Sequence, residues 1–92
     1  MNEHEWNKAR PKIPRWASRN GGEPFVFRWG AKHGLSEAAI HFFYLRYVCL
    51  AAERDIRDAL SRPVHAHLFQ HYHAVPREIR ALISRLPASE FD

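Results

Sequence analysis

The side chains with chemistry to offer are seven histidines, a single cysteine and an arginine-rich N-terminal third that also carries the tryptophans. His65, His67, His71 and His73 cluster ahead of Pro76, with His33 and His41 upstream. On a helix only His67 and His71 share a face, while His65 and His67 point roughly 200° apart at about 100° per residue. A structural zinc needs four ligands, and no second cysteine or neighbouring acid completes such a set. The imidazoles are therefore expected to be surface or interface groups, with no metal and no other cofactor. They add positive charge below about pH 6.5.

Catalysis has no firmer basis. Cys49 falls on an apolar stripe between Leu45 and Ala52, where a small thiol packs and is inert. Ser36 suits a helix cap, and no phosphate loop, nucleophile elbow or paired-carboxylate site is present. Glu53 with Arg57 and Asp58 with Arg62 are i, i+4 partners, worth ~0.3–0.5 kcal/mol on an exposed face. No catalytic residue is assigned, and the chain reads as a non-enzyme.

The N-terminal third is the stronger lead. Between Asn7 and Lys32 seven cations stand against one acid, Glu23, although the net charge of the whole chain is only +4. Trp6, Trp16, Phe25, Phe27 and Trp29 are interleaved with them. Arginines and exposed aromatics dominate protein-binding hot spots, which makes Arg15, Trp16, Arg19, Arg28 and Tyr44 the candidate partner-binding set. The same composition could neutralise phosphates and stack on bases, through Lys8, Arg10 and Lys12 with Arg77 and Arg80 further along. Eleven arginines against three lysines suit bidentate recognition, although a GC-rich genome explains most of that ratio.

The segment 65–86 has the outline of a helix-turn-helix but fails it in detail. Gln70 stands where a small residue belongs, Ala74 replaces the turn glycine, and Arg80 occupies an apolar position.

These residues need elements to position them. Leu35, Ala38, Phe42, Leu45, Cys49, Ala52, Ile56 and Ala59 form an unbroken 3-4 stripe, predicting one long helix over 35–60. Its first half also carries Ile40, Phe43, Tyr44, Tyr47, Val48 and Ala51 on the opposite side, so it must be buried on every side by its own chain or by a partner. Ser36 and Glu37 start this helix and Pro63 ends it. Pro63 and Pro76 open two shorter helices, the first with Val64, Leu68, Phe69 and Tyr72 on its apolar side, the second with Ile79, Leu82, Ile83 and Leu86 before Pro87. Phe42, Leu45 and Ile56 are expected to face them.

Residues 1–34 read as a basic aromatic arm, extended because Pro11, Pro14 and Pro24 deny it a long helix and Phe25, Phe27 and Trp29 alternate as in a strand. Asn20, Gly21 and Gly22 signal a turn. The arm should cover Phe43 and Tyr47 with Phe25, Phe27 and Trp29, leaving Trp16, Tyr44 and the arginines free. Residues 88–92 look like a frayed acidic tail.

The expected fold is all-α, a long central helix with two shorter helices packed on it and an extended N-terminal arm, with 35–92 forming one unit with the arm. No long apolar run or leader-like segment appears, and the lone cysteine excludes an internal disulfide, so the chain reads as soluble and cytoplasmic with no membrane contact. The function expected is a small accessory protein or inhibitor that docks on a larger protein or nucleoprotein assembly. Small, basic chains of this kind are among the products of phages and mobile elements, a link of association only. A nucleic-acid-binding regulator acting through the arm is the second reading, and a homodimer through the long helix is the third.

Overall fold

The prolines of the N-terminal third start helices. The computed structural model describes residues 3–92, so Met1 and Asn2 of the expected 1–34 arm lie outside the described residues. Helix α1 spans Glu3–Ala9 and runs through a 3-10 turn, Arg10–Lys12, into α2, Ile13–Arg19. Pro11, Pro14 and Pro24 each sit in a first turn, where a missing N–H leaves no intrahelical bond unmade. After the turn at Gly21 and Gly22, α3 spans Glu23–Lys32. The extended arm is thus corrected to three short helices. Over five residues the alternation of Phe25, Phe27 and Trp29 cannot separate period 2 from period 3.6, and the buried set, Val26, Trp29 and Gly30, follows the helical i, i+3, i+4 rule.

Helix α3 closes on Gly34, at φ 79°, with Leu35 N–H bonded to Gly30 C=O and Gly34 N–H to Ala31 C=O, the double bond pattern of a glycine C-cap. Ser36 then caps α4, Glu37–Phe43, its hydroxyl accepting from Ala39 N–H at 3.2 Å. The same hydroxyl donates to Glu78, tying the start of α4 to a later helix.

The long helix is not continuous. After Phe43 the backbone widens into a π-helical turn, Tyr44–Val48, and helical pairing stops until α5, Glu53–Leu60. A straight 26-residue helix would be about 39 Å long, beyond the protein's longest dimension of 37 Å. The break brings Ile56 and Leu60 back to the core, where both are fully buried. It also overturns two expectations: Cys49 is exposed, and Leu45 is only half-buried.

The second short helix is likewise fragmented. Pro63–His65 and Tyr72–Ala74 are 3-10 turns around a single helical turn, α6, Ala66–Phe69. His67 and His71 therefore share no helix, and Val64 and Phe69 face solvent while Leu68 alone is buried. Helix α7, Val75–Arg85, starts with Pro76 in its first turn as its sequence predicts. It buries Val75, Ile79 and Leu82, and the next residue, Leu86, is buried too.

Helix α4 is the hub, packed by α3, α6 and α7, while α5 rests on α6 and α2 lies against the π turn. Its all-round apolar surface is covered by this one chain. Phe42 and Phe43 are both buried, Phe43 beneath Trp29 at 5.0 Å between ring centroids. Close approach of α3 and α4 is set by Gly30, where an added Cβ would lie 2.6 Å from Ile40 Cγ1. Among the described residues there is no strand, and no helix is long and apolar enough to cross a membrane.

The tail is not frayed. Residues Ala88–Phe91 form a 3-10 turn that returns to the N-terminal helices, and Phe91 is 2% exposed. The driving force is one aromatic side chain finding the tryptophan cluster, which outweighs the local preference of a short polar segment for solvent.

Candidate protein-docking surface

The π turn ends in an unusual way. Cys49 N–H bonds to Tyr44 C=O, five residues back, and Ala51 N–H bonds to Leu45 C=O, six back. This is a left-handed helix cap widened by one residue, and the position that must adopt positive φ is Leu50, at φ 60°. Leucine in left-handed geometry costs about 1–2 kcal/mol relative to the right-handed helical region. It is the sole positive-φ residue other than glycine among those described, and its side chain is 68% exposed. Leu50 is not among the side chains packed on the core. A strained backbone that holds an apolar side chain out in water is the kind of local conflict that points to a binding role.

Around Leu50 lies a continuous face. Tyr47 separates a small hollow of about 260 Å³, shared by Leu50, Arg10 and Pro11, from a cleft of about 940 Å³. The cleft runs between α1 and α7 over a floor of Trp6, Phe42 and Ile79, with Arg46, Arg77 and Arg80 at its edges and Glu3 and Glu53 beside them. Tyr47 is held by Trp6 at 5.2 Å and Phe43 at 5.3 Å. The Arg10 guanidinium lies 5.8 Å above its ring. Burial pushes the Tyr47 hydroxyl above its ordinary pKa, opposed by the charges of Arg10 and Arg46. Arg46 also donates to Ala51 C=O at 3.4 Å, bracing the loop that carries Leu50.

The residues expected to bind a partner are divided by the fold. Arg15 and Arg28 are exposed and make no ion pair with the described residues. Tyr44 is half-buried, with its ring 6.3 Å from Phe27; the neighbouring Cys49 thiol, then burial, pushes its pKa above the ordinary value. Trp16 is corrected from surface to core. It is 5% exposed and lies edge-on to Phe25, Trp29 and Phe91. Arg19 donates to the main-chain oxygen of Asp92 at 2.7 Å.

Of the cations considered for nucleic acid, Lys8 is exposed, Lys12 pairs with the Asp92 carboxylate, and Arg10 lies on Tyr47. Arg77 and Arg80 edge the cleft on α7, across from Trp6 on α1. Sequence reasoning missed Leu50, Arg46 and Tyr47 as one face because 49–52 holds no glycine, proline or asparagine to mark a break.

No histidine lines the cleft or the hollow. His41 and His65 rings are 6.0 Å apart, and His67 Nε2 is 3.9 Å from Glu37. Among the described residues, no three histidine, cysteine or acidic side chains converge as metal ligands.

Comparison with models of protein families, with curated proteins and with solved structures finds no match.

Proposed function

We propose that this is a non-enzymatic accessory or inhibitor protein that docks on a larger protein, or on the protein part of a nucleoprotein assembly, through the face built on Leu50, Tyr47 and the cleft beside them. One observation carries this reading. Leu50 accepts left-handed geometry at a position where glycine would be free of strain, and spends that strain on presenting an apolar side chain to solvent. The aromatic floor flanked by Arg10, Arg46, Arg77 and Arg80 supports it, since arginine and aromatic side chains carry most of the energy at protein interfaces.

The nucleic-acid and homodimer readings are outcomes of the same test. Light scattering gives the mass alone and with a nonspecific duplex, at low and high salt. A monomer indifferent to the duplex is expected. A salt-sensitive complex would favour the regulator reading, and a dimer whose mass falls with Leu50→Gly would favour self-association. Affinity capture from producing cells then compares wild type with Leu50→Gly. A partner held by the first and released by the second, at undiminished thermal midpoint, is the expected result; equal retention would remove Leu50 from the interface.

A further inference from the structure

The N-terminal helices already hold a peptide, the chain's own tail. Leu86 and Pro87 are extended, and the segment beyond them turns back across α1, α2 and α3. Phe91 enters a cup of three indoles, with ring centroids 6.3 Å from Trp6, 4.9 Å from Trp16 and 5.9 Å from Trp29. Glu90 on one side accepts from Trp29 Nε1 at 3.0 Å and lies 3.5 Å from His33 Nε2. Asp92 on the other side meets Lys12 through its carboxylate and Arg19 through its main-chain oxygen. An aromatic ring between two acidic residues is thus matched by an aromatic cup with the Trp29 N–H on one side and Lys12 and Arg19 on the other.

This match has a simple physical reading. Aromatic burial supplies the attraction, the indole N–H fixes the orientation, and the flanking cations select for acid. The tail packs chiefly on the N-terminal helices rather than on the hub around α4. The tail contributes one buried ring and contacts made by two side chains at the rim, of which the Lys12–Asp92 pair is 56% and 57% exposed. Exposed pairs of that kind hold weakly.

We infer that the Trp6, Trp16 and Trp29 cup with Lys12, Arg19 and His33 is a receptor for an acidic–aromatic–acidic segment of a partner protein, and that residues 90–92 occupy it in cis until such a segment displaces them. The inference goes beyond docking at Leu50 and does not use that residue. It also explains why Trp16 carries the composition of a binding site while lying buried under Phe91. A tail tethered by a short linker competes at an effective concentration of about millimolar order, so a partner must add contacts, and the exposed Arg15 is placed on α2 between Lys12 and Arg19 in sequence to supply one.

The test uses the full chain with Phe91→Ala and a blocked peptide spanning 87–92. Tryptophan fluorescence and thermal midpoint are followed as the peptide is added. Saturable recovery of both toward wild-type values is expected, absent for a peptide with alanine in place of the phenylalanine and roughly tenfold weaker for one with lysine at both acidic positions. Wild type should respond only above about millimolar peptide. If Phe91→Ala does not fold, Phe91→Leu keeps an apolar anchor and takes the same titration. No saturable response in either variant overturns the proposal, as does an equal response to the lysine peptide. A concentration-dependent wild-type dimer abolished by Phe91→Ala also overturns it, by assigning the cup to the tail of a second copy. Leu50→Gly should leave every one of these titrations unchanged, which separates this result from docking at Leu50.

Discussion

Trp16 and Phe91, from opposite ends of the sequence, meet edge to face with ring centroids 4.9 Å apart and planes at 85°. The contact makes residues 88–92 part of the core. Phe91→Ala should therefore cost about 3–5 kcal/mol in urea or guanidinium unfolding. A frayed tail would lose less than about 0.5 kcal/mol, and that result would refute the assignment.

Leu50→Gly should stabilise the protein. Relief of left-handed strain is worth about 1–2 kcal/mol, and the added flexibility of glycine in the unfolded chain returns roughly 0.5–1 kcal/mol. A net gain of about 0.5–1 kcal/mol raises the thermal midpoint by roughly 2–8 °C for a domain of this size. A lower midpoint would mean that the Leu50 side chain has a structural role.

Gly30→Ala should destabilise despite placing a better helix former in α3. The propensity gain is about 1 kcal/mol, but the new Cβ would sit 2.6 Å from Ile40 Cγ1, and the two helices must separate. A net loss of about 1–3 kcal/mol is expected. Adding Ile40→Ala removes the clash, so the double variant should lose less than the two single losses combined. Additive losses would place the fault elsewhere.

Stability should fall as pH drops below about 6.5. Burial lowers the pKa of His41 in the folded protein; Glu37 and Glu23 oppose this, and His65 and His67 reinforce it. The unfolded chain then binds more protons than the folded one as pH falls from 6.5 toward the lowered folded value, which favours unfolding. Denaturant midpoints measured from pH 7.5 to pH 5 should decline for wild type and decline less for His41→Gln. An identical decline would assign the pH dependence to other groups.

The parts of this fold that were legible in the sequence are those fixed by local chemistry. Ser36 caps α4 and Pro76 starts α7 because a hydroxyl acceptor and a pre-set φ act within one turn. The apolar surface on both sides of the first half of 35–60 is buried at Ile40, Phe42 and Phe43, whereas Tyr44, Tyr47, Val48 and Ala51 are only half-buried. What stayed hidden depends on distant contacts. The stripe from Leu35 to Ala59 is helical in period on both sides of the break, and only the reach needed to return Ile56 to the core interrupts it. Phe91, isolated among polar residues, gave no periodic signal, and its place is set by indoles from the far end of the chain. The docking face was illegible for both reasons, since Leu50 marks a break without breaker residues and Arg77 meets Trp6 only across a cleft.

The tail's contacts also impose an order in time. Trp29 is made 61 residues before the Glu90 that accepts its N–H, a delay of roughly 3–12 s at ordinary rates of synthesis. The cup therefore has nothing to close it until residues 90–92 are made, and covering its indoles is among the last steps in building the core.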